Sequence, residues 1–141
     1  MKIHEYIGVL VKRTDLKLNS YYQKVVNPFN ITIDQWMILV VLWDEEGLTQ
    51  NELAERTFKD KTNIARMLFT MEERGFIHRV TDKKDRRSLH VYLTEKGRQL
   101  KDEVLPPSIE AYEKTIAGLT EEEVKQFRKT LNIIYENVKN L

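Results

Sequence analysis

Residues 76–94 read FIHRVTDKKDRRSLHVYLT, and the reading of this stretch decides the fold. Val80 on one side and Leu89, Val91 and Leu93 on the other belong to short β-type runs, while the middle, DKKDRR at residues 82–87, is the most charge-dense place in the chain. Two such runs around a polar segment predict a β-hairpin. A two-residue turn favours Asn-Gly or Asp-Gly, and this connection has neither. Its six residues, 82–87, contain no glycine and make a long loop that projects from the body. The four cations there have little core to pack on, so they are free to meet a partner.

Working outward, the segment just upstream has the marks of a helix. Asp60 can cap its start and Gly75 stops it, while Ile64, Met67, Leu68 and Met71 form the buried stripe and Thr62, Asn63, Arg66 and Thr70 face away. Before it, Thr49 with Glu52 makes a capping box that opens a short helix over residues 50–57. Only residues 58–60 separate the two, and small Ala54 permits the close crossing of a helix-turn-helix. Thr32 with Gln35 opens another helix, ending near Gly47. Its run WMILVVLW, residues 36–43, also reads as a strand, but the caps favour a helix, apolar nearly all round and therefore central.

At the ends of the chain, Ile3, Ile7, Leu10, Thr14, Leu18, Tyr21 and Val25 mark one face of a long helix over residues 2–26, which Asn27-Pro28 terminates. Thr94 caps a long helix that runs to about residue 117. Pro106-Pro107 must kink or break it, and Gly118 stops it. Thr120 with Glu123 starts the last helix, with an apolar seam of Phe127, Leu131, Ile134, Val138 and Leu141.

Composition bounds the function. At 141 residues, 41% apolar and 32% charged, the chain suits one domain with a hydrophobic core. It has no cysteine, hence no disulfide and no thiolate metal site. The longest apolar run, eight residues, is far below the ~20 that span a bilayer. The start, MKIHEYIGVLVKRTD, lacks signal-peptide character, so a cytoplasmic chain with no membrane partner is expected. The net charge of +1 conceals an asymmetry: from Arg56 to Arg87 ten Lys or Arg stand against five Asp or Glu. That segment is +5 and the remainder −4, the footprint of a nucleic-acid face or, more plainly, of a solvated charged surface.

Catalysis finds no support. There is no Gly-rich phosphate loop, no nucleophile elbow and no paired-histidine zinc motif, so no catalytic residue, metal ligand or cofactor is assigned. His78 and His90 could face each other across the hairpin and meet a metal, but two strand histidines are more often an ordinary cross-strand pair. The run Glu121-Glu122-Glu123 reads as acids that complement a helix start.

Double-stranded DNA is the partner on which independent features converge. A recognition helix in the major groove needs short polar side chains at its N-terminal end and a cation further along, which Lys61, Thr62, Asn63 and Arg66 supply. Ala65 allows close approach to the bases. At the hairpin tip, Arg87 suits a narrow minor groove, Asp85 is placed to hold its guanidinium in a forked salt bridge, and Lys83, Lys84 and Arg86 suit phosphates. The plain alternative for both elements is a solvated polar surface.

The order of elements resembles the MarR family, the multiple antibiotic resistance regulators. The most specific parts are DRRSLHVYLTEKG after a helix ending EERGFIHR, with ITIDQWMILVVLW and LTQNELAERTFKDKTNIARMLFT before them. The resemblance covers essentially the whole chain. It implies a mainly α fold with a small β-hairpin wing: a winged helix-turn-helix lobe over residues 32–95, with dimerisation helices over residues 1–30 and 98–141 of a single 1–141 domain. It implies a homodimeric DNA-binding regulator, a repressor in the commoner family role, on a pseudo-palindromic site. It assigns the dimer surface to Ile3, Ile7, Ile109, Tyr112, Ile116, Leu119, Phe127, Leu131, Ile134 and Val138. The groove readers would be Thr62, Asn63 and Arg66, flanked by Thr70, with Lys61 on a phosphate and Arg87 at the wing tip. Many relatives respond to a small aromatic effector, for which Tyr6, Arg13, Tyr21 and Trp36 are the candidates, each more readily read as plain core or dimer packing. The branch that senses peroxide through a cysteine is excluded. A different reading makes the winged lobe a protein-interaction module for an acidic partner.

Overall fold

Capping chemistry sets most of the element boundaries in the computed structural model, which describes residues 1–141. The elements are α1 (Ile7–Val26), α2 (Ile33–Asp44), β1 (Leu48–Thr49), α3 (Gln50–Arg56), α4 (Lys61–Glu73), β2 (Ile77–Thr81), β3 (Leu89–Leu93), α5 (Glu95–Thr115) and α6 (Glu121–Lys139). At the starts of α2, α3 and α6, the hydroxyls of Thr32, Thr49 and Thr120 accept the backbone N–H of Gln35, Glu52 and Glu123. Each of those side chains accepts in return from its threonine's N–H, so two otherwise orphaned donors are satisfied per helix. The apolar run 36–43 is helical. Its strand reading fails because this helix can bury several faces at once, with Ile38, Leu39 and Leu42 fully enclosed and Trp36, Val41 and Trp43 packed on the margin.

The structure departs from the expected boundaries in three places. The first helix begins with a separate 3-10 turn, Ile3–Glu5, before α1. Helix α2 ends at Asp44 rather than at Gly47, because Glu45 turns extended. Gly47, at φ +82°, makes the bend into β1 instead, its N–H donating to the Val91 carbonyl at 2.8 Å. Pro106 and Pro107 lie inside α5 without ending it. They orphan the carbonyls of Asp102 and Glu103, and both residues are exposed, so water can take the place of the missing donors.

The sheet has one strand more than the hairpin alone. β3 is central, antiparallel to β2 and to the two-residue β1, in the order β1-β3-β2. Register places Ile77 opposite Leu93 and Arg79 opposite Val91. Ile77, Val91 and Leu93 are buried, Leu89 is half-buried, and Val80 faces outward. The two histidines are not a cross-strand pair: His78 lies opposite Tyr92, on which it stacks at 5.7 Å, and His90 lies opposite Val80.

The chain divides into two compact units, Met1–Ser108 and Ile109–Leu141. In the first, α2, α3, α4, the sheet and the start of α5 enclose a core that includes Leu53, Ile64, Leu68, Met71, Val91 and Val104. In the second, α6 buries no residue. Ile109, Tyr112, Leu119, Phe127 and Val138 are exposed there, as are Ile133 and Tyr135, which the sequence reading passed over. Ile116, Leu131 and Ile134 are half-buried.

Candidate nucleic-acid interface

Helix α4 is fixed from its first residue. The Asp60 carboxylate accepts the Asn63 backbone N–H through Oδ1 at 2.7 Å and the Asn63 amide through Oδ2 at 3.0 Å. The Asn63 carbonyl oxygen in turn accepts from Arg66 Nη2 at 2.7 Å. Three residues at the N-terminal end of α4 are thus wired Asp60–Asn63–Arg66, one turn of helix per step. Lys61, Thr62, Arg66 and Thr70 are exposed, and Asn63 is half-buried. The Thr70 hydroxyl is turned back onto the Arg66 carbonyl at 3.2 Å. Ile64, Leu68 and Met71 fill the opposite face, so the helix cannot roll without exposing them.

The turn between α3 and α4 carries a feature that sequence reading missed. Phe58 sits in the left-handed region at φ +57° and is 76% exposed. For a bulky residue this conformation costs roughly 1 kcal/mol or more. The next residue, Lys59, forms an ion pair with Asp34 at the start of α2, which pins the turn to the core helix. Nothing in composition distinguishes such a turn, because only the backbone angle gives it away.

The wing loop is built by aspartates. The Asp82 N–H donates to the Ser88 carbonyl at 2.9 Å, closing the loop, and the Asp82 carboxylate accepts the Lys84 N–H at 2.8 Å. The Asp85 carboxylate accepts the Arg87 backbone N–H at 3.0 Å. The expected fork between Asp85 and the Arg87 guanidinium is therefore corrected. A side chain two residues back reaches the nearer backbone donor and makes an Asx turn. Asp85 thus sets where Arg87 leaves the loop and leaves the guanidinium unpaired. Lys83, Lys84, Arg86 and Arg87 are all exposed, and none forms an ion pair.

At the wing's base, Arg79 on β2 holds Glu72 of α4 at 3.3 Å and donates to Gln50 of α3 at 3.0 Å, so wing and helix-turn-helix are cross-braced. On β3, His90 lies between the Gly47 carbonyl, 2.8 Å from Nδ1, and the Asp82 carboxylate, 3.2 Å from Nε2. These partners, the Gly47 carbonyl first, hold the imidazole above its ordinary range, and the Lys84 N–H and His90 hold the Asp82 carboxyl below its own.

The candidate effector residues do not converge within the chain. Tyr6 and Arg13 are exposed, and Tyr6 lies about 22 Å along α1 from Tyr21 at 1.5 Å per residue. Trp36 packs instead against Tyr22, rings 6.4 Å apart and nearly parallel, and its indole donates to the Ser108 hydroxyl at 3.0 Å. Tyr21 packs on Tyr22 at 5.7 Å. Of the expected dimer residues in the first unit, Ile3 and Ile7 are both exposed. No single helix is long and apolar enough to cross a membrane.

The chain matches the family model described as MarR family over residues 31–89, from just before α2 to the first residue of β3. It is 30% identical, over 98% of its own length and 92% of the relative's, to the organic hydroperoxide resistance transcriptional regulator of Bacillus subtilis. CouR from Rhodococcus jostii RHA1, solved bound to p-coumaroyl-CoA, matches with a TM-score of 0.84 at 25% identity, covering 95% of this chain and 94% of that one. MepR from S. aureus, solved in complex with DNA, matches with a TM-score of 0.87 over 94% of this chain and 98% of that one. At 23% identity this last likeness speaks for the fold alone. The mainly helical fold with its hairpin wing and the near full-length relative lead to one assignment: the chain belongs to the MarR family of winged-helix transcriptional regulators, which are not enzymes.

Proposed function

We propose that this protein is a homodimeric repressor that binds a pseudo-palindromic site in double-stranded DNA. The observation that carries this reading is the wired polar end of α4 beside a braced hairpin whose tip holds four unpaired cations. Thr62, Asn63 and Arg66 read base edges in the major groove, Lys61 and Thr70 flank them, and Arg87 enters the adjacent minor groove. Lys83, Lys84 and Arg86 neutralise phosphates, while Asp85 shapes the tip from within.

Dimerisation follows from the apolar residues left in the open. A helix such as α6, with no buried residue and with Phe127, Ile133 and Val138 exposed, is stabilised by a second copy. The division of labour is then residues 32–95 for DNA and residues 1–30 and 98–141 for the dimer. Two-fold symmetry sets half-site centres about 10 base pairs apart. Work on DNA goes with a cytoplasmic location.

A small aromatic effector fits the same reading. CouR was solved with an aromatic acyl thioester, and of the four candidates in this chain Tyr21 and Trp36 share an aromatic cluster through Tyr22. Tyr6 and Arg13 would join only a site completed elsewhere. A thiol-based peroxide switch is closed to this chain, which has no cysteine. The test is to recover bound fragments from a genomic pool and measure their affinity against salt. Specific regulators show log affinity falling steeply with log salt and outcompeting random duplex. An acidic protein recovered in place of DNA would favour the interaction-module reading.

A further inference from the structure

We propose that His90 is a positioning residue for the wing, a charged clasp whose loss makes DNA binding by this chain weaken as pH rises. The proposal rests on the wing's role in DNA binding given above. Its geometric basis is that both ring nitrogens face acceptors: a backbone carbonyl, Gly47, at 2.8 Å and a carboxylate, Asp82, at 3.2 Å. A neutral imidazole has one N–H and can serve only one of them, whereas the imidazolium serves both.

The two acceptors lie on different connections. Gly47 belongs to the bend into β1, and Asp82 is the first residue of the wing loop, which it closes through Ser88 and shapes through Lys84. His90, on the central strand between Thr49 and Val80, ties one to the other. Losing the Nε2 proton turns a lone pair toward the carboxylate, so the Asp82 carboxylate loses its tie to β3, keeping only its bonds within the loop, and the base of the tip loosens.

The charged surroundings favour the proton. Asp82 from the loop and Glu52 from α3 both face the ring with negative charge. Lys83 and Lys84 follow Asp82 and point the other way electrostatically, and His78 lies diagonally across the same sheet face, stacked on Tyr92. Glu46, nearby, is already neutralised by Arg98. The imidazole is held above its ordinary value of 6.5. A raised value means the clasp is complete below that pH and is lost as pH climbs through the folded value. Phosphates nearby deepen the effect, so binding takes up part of a proton.

The test uses the full chain and a mixed-sequence DNA duplex at constant ionic strength. Nitrogen-resolved NMR of the free protein should show His90 protonated at both ring nitrogens at pH 6 and titrating above 6.5. Native affinity should drop roughly two- to five-fold per wing between pH 6 and 8.5, the range that an exposed ion pair supports. His90→Gln should bind at the high-pH level throughout, and His78→Gln should keep the native slope. A His90→Gln slope equal to native, or a ring titrating below its ordinary value, overturns the clasp. If Arg87→Ala binds as tightly as native, the DNA role of the wing fails instead, while the NMR titration still decides the clasp.

Discussion

Asn63 and Arg66 are bonded to each other, Oδ1 to Nη2 at 2.7 Å, and Asn63 is bonded back to Asp60. Two groups proposed to read bases are therefore pre-oriented by a residue that is also the helix cap. Pre-orientation lowers the rotamer entropy lost on binding, and it couples the two readers so that a change in one disturbs the other. Replacing Asn63 with Ala should cost about 1–3 kcal/mol of discrimination at one base position per half-site. Competition binding with single-base variants of the recovered site measures it, and an equal loss on every variant would mean that Asn63 does not read a base.

Asp60→Ala separates the cap from the reader. Losing an N-cap should lower folding stability by about 0.5–2 kcal/mol, measured by denaturant unfolding. Because the Asn63 amide also loses its anchor, base discrimination should weaken in parallel. Stability lost with discrimination intact would show that the relay plays no part in recognition.

Lys61 stands at the first position of α4, exposed and unpaired. Lys61→Ala should weaken all sequences alike and reduce the slope of log affinity against log salt by about one. A sequence-dependent loss would move Lys61 into the reading set.

At the wing tip, Arg87→Ala should weaken binding with no change in unfolding midpoint, since the side chain is exposed. Asp85→Ala should weaken it less: the guanidinium survives, and only the Asx turn that fixes its origin is lost. Had the two residues formed the fork that their spacing suggested, the Asp85 change would have rivalled the Arg87 one.

The contrast between these two residues marks where sequence alone stops dictating geometry. Helix starts at Thr32, Thr49, Asp60 and Thr120 were legible because a cap needs one side chain at a fixed offset from one N–H. The hairpin was legible because β-type residues flank a glycine-free polar run. Strand β1 was not, since two residues have no periodicity, and they are a strand only because Gly47 bends them onto β3. The continuity of α5 through Pro106-Pro107 was also hidden: whether a proline breaks a helix depends on what replaces its lost bonds. Nor could spacing tell whether Asp85 would take the guanidinium or the nearer N–H of Arg87, or that of the four effector candidates only Tyr21 and Trp36 would share a cluster, through Tyr22.

Gly97, in the first turn of α5, tests the packing of wing on core. A Cβ there would lie 2.2 Å from the Phe76 carbonyl oxygen, which already accepts the Thr94 N–H at 3.0 Å. Glycine to alanine in a helix ordinarily stabilises by up to ~1 kcal/mol. Here Gly97→Ala should destabilise by about 1–3 kcal/mol, as overpacking does, read as a lowered melting temperature. A raised melting temperature would refute that close approach.

In the proposed function, α4 and the wing together read DNA as parts of a two-fold assembly. Its most direct measurement is affinity selection of genomic fragments by the purified chain at moderate salt, repeated with Arg87→Ala. The expected result is enrichment of one pseudo-palindromic sequence with half-site centres about 10 base pairs apart, bound less tightly by the variant. Recovery of fragments with no shared sequence, bound no better than random duplex and equally by both proteins, would contradict it.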